Sequence, residues 1–438
     1  MYDYLDSMAH RANNLYNAAL FRERQMMTSR NKDASMLNEL QKEVIAEVEY
    51  AMPLMHRQRK VPASGVLNYG FLYDVMKLNC NPDYMALPAH TREYVIKQVV
   101  HDISAYFNAF KAYKANPSAF TGKPGLPHYK HKQGKTSFTM SNQECVIKKN
   151  QKGNYQCKLP TTRSVVSLGK KVPGKLREVH VTPVNGTYQV SMVFDDGQEA
   201  VPCKKESQRI AAVDIGVDNL MAVTNNIGQP SLLIKGLPVK SINQMYNKAV
   251  ASIVSQHTLA TKKKFEATRQ FNAVTMNRNN RIKDYLFKAV KYFMRWCIDN
   301  RIDTVVIGKN NLWKQEADMG KRNNQAFVQM PFAQMIKMIA YSAERAGIRT
   351  VGQEESYTSK ASYLDKDDIP VYKQDTKDKY SFSGKRIQRG MYRAKEGRCI
   401  NADLNGSANI MRKAFPKLAD NIDFDRITTV RNAYTILN

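Results

Sequence analysis

The stretch Ile210-Ala211-Ala212-Val213-Asp214 decides the fold, because it is a short apolar run that stops at a carboxylate. Short apolar runs bounded by turn residues are typical of strands buried in a sheet. Such a strand carries its last residue to the edge of the sheet, where oxygen ligands can hold a hard cation. The stretch therefore predicts a buried strand with a candidate metal ligand, Asp214, at its end.

Two more acidic positions occur in comparable settings. The stretch that begins at Ile348 ends in Glu354 and Glu355, and Asp403 lies just before a helix-like tail. Taken alone, each acid has an ordinary explanation, such as a turn, a helix cap or a solvated side chain. Phosphodiester cleavage by two metal ions needs a cluster of acids that converge in the fold. The conjunction of three such positions therefore favours a metal-dependent nuclease.

One position argues against an intact site. The apolar strand Thr304-Val305-Val306-Ile307 ends in Gly308, where a further acid is expected. Neighbouring strands lie about 4.8 Å apart, and Glu is one methylene longer than Asp. A glutamate on the next strand could therefore reach a metal that would otherwise be bound from this strand, so Gly308 is compatible with a relocated ligand.

The order of elements from Arg209 onward predicts an α/β domain. After the strand that ends at Asp214 we expect strands at residues 220–224 and 232–234, a helical hairpin at about 238–300, a strand at 304–307, a helix near 332–346, a strand into 354–355 and a helix from 403. Three antiparallel strands followed by alternating helices and strands is the order of an RNase H-like fold. It places the first, fourth and fifth strands side by side.

The N-terminal third of the chain predicts helices. Apolar residues recur at helical spacing from Leu5 to Ala19 and from Val95 to Phe110. The aromatic residues of the second helix are either core residues or platforms for base stacking, and we expect the core for all four: Tyr106, Phe107, Phe110 and Tyr113.

Residues 121–208 begin with a basic loop rich in Gly and Pro, and then predict strands. Alternating runs are separated by Asn185-Gly186 and Asp196-Gly197, which are typical β-hairpin turns. We expect a small antiparallel β-barrel here.

Charge is the strongest global property of the 438-residue chain. It contains 67 Lys and Arg against 39 Asp and Glu, a net charge of +28 spread along the whole sequence. Such a chain is attracted to polyanions, and nucleic-acid phosphates supply affinity through counterion release. No segment approaches the roughly 18 apolar residues of a membrane span, and no secretory signal is evident. The six cysteines form no Cys-x-x-Cys pair, which argues against structural zinc and fits a reducing cytoplasm.

Five segments resemble the TnpB family of transposon-encoded, RNA-guided nucleases, which are related to compact type V CRISPR effectors. They are residues 213–220, 306–314, 354–362, 382–387 and 401–410, and the likeness is looser upstream of residue 209. By motif matching, Asp214 and Asp403 correspond to the first and third acids of a RuvC site. The run Glu355-Ser356-Tyr357-Thr358-Ser359-Lys360 resembles a branch of the family with a relocated middle acid, and Glu355 is our choice, with Glu354 as its close rival.

The resemblance implies an RNA-guided DNA endonuclease with four parts. These are a helical recognition lobe (1–120), a wedge β-barrel (121–208), a RuvC nuclease domain (209–361 and 399–438) and a basic target-nucleic-acid-binding insert (362–398). The expected partners are a guide RNA and double-stranded DNA cut next to a short adjacent motif, in a prokaryotic cytoplasm. The expected cofactor is Mg²⁺, as two ions held by Asp214, Glu355 and Asp403. No zinc is expected, because Cys399 stands alone near the insert.

Eight basic residues are candidates for contacts with nucleic-acid phosphates. They are Lys123, Lys130, Arg278, Arg281, Lys360, Lys385, Arg386 and Arg389.

Two other functions remain open. An RNA-guided DNA-binding repressor with an inactive nuclease site would explain Gly308, although the survival of all three acids argues against it. An unguided, structure-selective nuclease such as a junction resolvase would leave the helical lobe and the barrel without a task.

Overall fold

The computed structural model describes residues 1–57, 60–62, 64–199, 201–204, 206, 208–309, 328–371 and 380–435. Residues 310–314, which belong to the second TnpB-like segment, and residues 372–379 of the basic insert lie outside this description. The chain forms two compact units, Met1–Gln198 and Glu199–Asn438.

The first unit opens with helices. They are α1 (Tyr2–Ser29), α2 (Glu39–Ala51), α3 (Tyr69–Leu78), the short α4 (Pro82–Met85) and α5 (Ala89–Ala115). Helix α2 begins at a capping box, in which the Asn38 side chain accepts from the Gln41 backbone and the Gln41 side chain accepts in return. The predicted helical periodicity is confirmed in α1, where Leu5, Leu15 and Leu20 are buried.

Strands follow in the same unit. They are β1 (Phe138–Ser141), β2 (Val146–Lys149), β3 (Tyr155–Lys158), β4 (Val165–Gly169), β5 (Lys175–Val184) and β6 (Thr187–Asp195). All pair antiparallel, and they form two three-stranded sheets in the orders β1-β5-β6 and β2-β3-β4. The predicted hairpin turn Asn185-Gly186 joins β5 to β6, whereas the prediction of a second hairpin at Asp196-Gly197 is wrong, because β6 is the last strand of this unit. One hydrophobic core runs from α1 through the strands. The assignment of residues 1–120 and 121–208 to a recognition lobe and a wedge domain stays a proposal.

The prediction that the aromatic residues of α5 belong to the core is wrong for Phe107. Helix α5 is buried at Val95, Ile96, Val99 and Ile103, but no residue after Ile103 is buried. Phe107 is 41% exposed. Helical spacing identifies one face of a helix, but it does not tell how far the neighbouring elements extend along that face.

The second unit is built on a six-stranded sheet. Its strands are β7 (Ile210–Asp214), β8 (Asn219–Asn225), β9 (Pro230–Lys235), β10 (Thr304–Gly308), β11 (Arg349–Gln353) and β15 (Asp423–Val430). Their order is β11-β10-β7-β8-β9-β15. Strands β7, β8 and β9 are antiparallel neighbours, while β10 lies parallel to both β7 and β11. The predicted adjacency of the first, fourth and fifth strands is therefore confirmed.

Helices cover both faces of this sheet. They are α6 (Leu237–Thr261), α7 (Arg269–Asp299), α8 (Phe332–Arg345) and α9 (Ala402–Ala414). Alternate residues of a strand face opposite sides. Accordingly Ala211 and Val213 of β7 pack with α7 and α8, whereas Ile210 and Ala212 pack with Ile410 of α9. Asp214 is the next alternate residue after Ile210 and Ala212, so its side chain lies on the same face of the sheet and points to α9.

Two features of this unit were not predicted. Strand β15 pairs parallel with β9 at one edge of the sheet. The basic insert contains β12 (Lys385–Gln388) and β13 (Met391–Arg393), which pair antiparallel with each other and, through β13, with β14 (Cys399–Asn401). Tyr392 anchors this small sheet, since its ring is buried and its hydroxyl donates to the Lys360 carbonyl over 2.8 Å. No helix in the described part of the chain has the length and hydropathy needed to cross a membrane.

Candidate active site

Asp214 lies at the carboxyl end of the central strand β7 and points to the start of α9. A Cβ atom added at Gly406 of α9 would stand 2.5 Å from Asp214 Oδ2, closer than real Cβ contacts come. The missing side chain at Gly406 therefore gives the carboxylate its place against the helix. Burial, and then repulsion from Glu355 and Asp403, raises the pKa of Asp214 well above its usual value, while Arg386 acts in the opposite direction.

Glu355 occupies the space beside Gly308. A Cβ added at Gly308 would fall well inside 3.0 Å of Glu355 Oε2, and 2.6 Å from Cδ1 of Ile410. Strand β10 thus ends without a side chain at the point where the carboxylate of Glu355 arrives from beyond β11. The glycine that suggested an inactive enzyme is the residue that leaves room for the Glu355 carboxylate.

Glu354, the rival for the middle position, is engaged elsewhere. Its carboxylate accepts from the Lys413 ammonium and, over 2.8 Å, from the Ser356 backbone amide. Burial works to raise the pKa of Glu354, but the hydrogen bonds from Lys413 and Ser356 outweigh it and hold that pKa below its usual value. Of the two neighbours, the geometry favours Glu355 as the middle acid.

Asparagines of α9 fix the segment that follows Glu355. Asn409 Nδ2 donates to the carbonyls of Thr358 (2.9 Å) and Ala361 (2.7 Å), and Asn405 Nδ2 donates to the Ala361 carbonyl (2.8 Å). Thr358 in turn donates its hydroxyl to the Glu355 carbonyl over 2.8 Å. One helix therefore positions Asp403 directly and Glu355 through these asparagines. We did not predict this role, although two Asn four residues apart on a buried helix are a detectable signal.

Asp403 is held at the N-terminus of α9, but it does not cap the helix. That task belongs to Asn401, whose side chain accepts from the amides of Asp403 and Leu404. Asp403 Oδ2 accepts from Asn219 Nδ2 over 2.6 Å, and Asp403 Oδ1 accepts from the Arg386 guanidinium over 2.9 Å. The interpretation of Asp403 as an ordinary helix cap is therefore wrong.

A second arginine ties the insert to the same edge. Asp218 accepts from Lys240 Nζ over 2.6 Å and from Arg389 Nε over 2.7 Å. Burial works to raise the pKa of Asp218, but these two cations outweigh it and lower that pKa. Arg386 and Arg389 thus link strand β12 and its turn to the acidic edge of the sheet.

The other predicted phosphate-binding residues separate into two groups. Lys130 donates to Thr136 over 2.6 Å and lies 3.7 Å from the ring centroid of Tyr16, and burial lowers its pKa. Arg278 donates to Asn243 and to the Gln329 carbonyl. These internal contacts argue against a role in binding phosphate for both. The remaining candidates are exposed: Lys123, Arg281, Lys360 and Lys385.

The donor set fits a hard divalent cation. Three carboxylates supply oxygen ligands, which Mg²⁺ prefers, and the two glycines leave the space that a Cβ would fill. Among the described residues, however, no group of three or more His, Cys, Asp or Glu side chains is gathered closely enough to hold an ion as it stands. Both oxygens of the Asp403 carboxylate accept from other partners, Arg386 and Asn219.

Two sequence families match the chain. The family described as OrfB_IS605, probable transposase, matches residues 188–314, and the family described as Cas12f1-like, TNB domain, matches residues 332–410. No curated protein shows significant similarity.

The fold is similar to that of solved structures. The protein in "Cryo-EM structure of the Cas12f1-sgRNA-target DNA complex" is 13% identical, with a TM-score of 0.51 over 92% of this chain and 81% of that one. The protein in "Cryo-EM structure of CRISPR-Cas12f Ternary Complex" is also 13% identical, over 93% of this chain and 80% of that one, and its TM-score of 0.34 is too low to support an argument. At this identity the first match establishes a shared fold alone. The two sequence matches, together with the shared fold, support a member of the TnpB/Cas12f-like family.

Proposed function

We propose that the chain is an RNA-guided DNA endonuclease that binds a guide RNA and cleaves complementary double-stranded DNA next to a short adjacent motif. The observation that supports the proposal is that Glu355 and Asp403 both lie close enough to Asp214 to act on its carboxylate. Repulsion from the other two acids contributes to the raised pKa of Asp214. Membership of the family and the net charge of +28 support nucleic acid as the partner, in a prokaryotic cytoplasm.

In this proposal Asp214, Glu355 and Asp403 hold Mg²⁺. Bound Mg²⁺, expected as two ions, would supply activation of water and stabilisation of the leaving oxygen. Asp214 keeps a proton more readily than an ordinary aspartate, so a cation and a proton compete for it. Arg386 neutralises Asp403 in the protein alone, and a DNA phosphate offers the guanidinium another partner. Guide pairing would read the sequence, while the protein reads duplex shape and the adjacent motif.

The test uses purified protein with the RNA that copurifies with it. We expect Asp214→Ala and Asp403→Ala to abolish plasmid cutting and to leave RNA-guided binding of the target intact. Robust cutting by either variant would contradict the assignment. Random sequence in the copurifying RNA would instead favour an unguided nuclease.

One observation favours a second candidate, a nuclease-inactive RNA-guided repressor. Asp403 is paired with Arg386 and Asn219, and the described acids form no ready-made cage. A repressor would shift the target DNA in a gel without nicking it, at any Mg²⁺ concentration.

A further inference from the structure

The C-terminal part of α5, after Ile103, carries an aromatic surface that is not part of the candidate active site. Beyond Ile103, twelve residues of helix extend about 18 Å at 1.5 Å per residue, and none is buried. Phe107 is 41% exposed. The rings of Tyr106 and Phe110 are stacked, with centroids 5.8 Å apart and an interplanar angle of 17°. We call Tyr106, Phe107 and Phe110 the α5 aromatic surface.

Positive charge surrounds this surface. Lys114 Nζ lies 4.9 Å and Lys123 Nζ 5.7 Å from the ring centroid of Phe110. Lys111 on the same helix is exposed. The sequence contains no Asp or Glu between Asp102 and Glu144. A surface that combines lysines with aromatic rings, and has no carboxylate nearby in the sequence, is complementary to a polyanion that itself contains flat rings, as a nucleic acid does.

We propose that the α5 aromatic surface binds unpaired RNA, with bases stacked on its rings and phosphates held by Lys111, Lys114 and Lys123. Aromatic rings in a positive surface are how proteins hold single strands, because every base has a face to stack. Bases inside a duplex are already stacked and cannot use such rings. RNA is the favoured strand because its loops expose unpaired bases and 2′-hydroxyls. Tyr106 and the exposed Asn108 offer polar groups to those hydroxyls.

The inference extends the proposed function, since a guide RNA is the RNA that would stay bound. The inference and the proposed function depend on different residues. Guided cleavage could operate with no stacking at this helix, and stacking here requires no active nuclease site.

Photo-crosslinking of the full chain tests the inference directly. The probe is an oligouridylate of about 12 nucleotides that contains 5-iodouridine, a length within the range of single-strand sites. We expect crosslinks in the peptide that contains Tyr106, Phe107 and Phe110. Crosslinks confined to other peptides would overturn the proposal. Failure of the protein to bind any RNA would overturn the proposed function as well, which separates the two.

Variants of Phe107 test the stacking. Phe107→Ala should weaken binding of the oligouridylate about tenfold, as expected for one lost stacking contact, while Phe107→Trp should retain it. The control is Tyr50→Ala on α2, where an aromatic residue is 60% exposed beside Glu49. Equal effects of Phe107→Ala and Tyr50→Ala would contradict stacking. Equal competition by an oligothymidylate of the same length would overturn the assignment to RNA.

Discussion

Gly308 and Glu355 share one space: the end of strand β10 has no side chain where the carboxylate of Glu355 lies. Strands β10 and β11 are parallel, and Gly308 pairs with Gln353, two residues before Glu355. The glutamate therefore leaves the neighbouring strand and turns back over the glycine. An acid at position 308 and an acid at position 355 could not both occupy this space.

The first prediction follows from this shared space. Gly308→Ala should reduce the DNA cleavage rate by about 100-fold, since displacement of a catalytic group by about 1 Å can have that effect. Binding of guide RNA and target should not change, because the substitution lies inside the sheet. Cleavage rates and gel-shift affinities measured on the same preparation separate the two effects.

The matched control for this prediction is Gly352→Ala. Gly352 lies on the adjacent strand and pairs with Ile307, but a Cβ added there meets nothing within 4 Å. We expect near-normal cleavage from this control. An equal loss in both variants would mean that the sheet, and not Glu355, is disturbed.

The second prediction concerns the metal and the raised pKa of Asp214. A folded-state pKa above the unfolded value means that the metal-free protein loses stability as pH rises above the usual range of an aspartate. Asp214→Asn removes this charge, so the variant should melt a few degrees higher than the parent in EDTA at pH 8. Mg²⁺ should raise the melting temperature of the parent more than that of the variant. An equal shift in both proteins would show that Mg²⁺ acts elsewhere.

The third prediction concerns a buried acid in the first unit. Glu23 is buried, one of its oxygens accepts from the Leu67 amide over 3.0 Å, and the other has no hydrogen-bond partner among the residues that the structure describes. Burial raises the pKa of Glu23 to about 7 despite the hydrogen bond from Leu67. Because the folded value exceeds the unfolded one, stability should fall as pH rises from about 4.5 to about 7, by up to about 3 kcal/mol.

Glu23→Gln should remove that dependence and leave the protein more stable at pH 8. Urea unfolding at several pH values provides the measurement, followed in the first unit. Glu43→Gln on the exposed face of α2 is the control and should behave as the parent does. If Glu23→Gln keeps the slope of the parent, Glu23 is ionised in the folded protein at neutral pH.

Much of the second unit could be predicted, because local sequence patterns determine its helices and strands. The apolar run before Asp214, the helical hairpin and the helix after Asn401 each follow from residues close in sequence. The position of Glu355 required the order of strands as well, since the glutamate and Gly308 lie on neighbouring strands.

The features that could not be predicted depend on contacts between residues far apart in the chain. Lys130 is a basic loop residue by sequence, and its place over the ring of Tyr16 follows only from the way the loop folds onto α1. Likewise the small sheet of the insert depends on Tyr392 reaching the Lys360 carbonyl. Neither partner can be identified from composition or periodicity.

The choice between two adjacent glutamates tests the central claim most directly. Plasmid cleavage by the purified ribonucleoprotein should be measured side by side for Glu355→Gln and Glu354→Gln, with Mg²⁺ present and target binding checked for both. The geometry predicts that Glu355→Gln binds but does not cut. It also predicts that Glu354→Gln, which loses only its ion pair with Lys413, still cuts. Cutting by Glu355→Gln, or loss of cutting in Glu354→Gln alone, would contradict the site proposed for this chain.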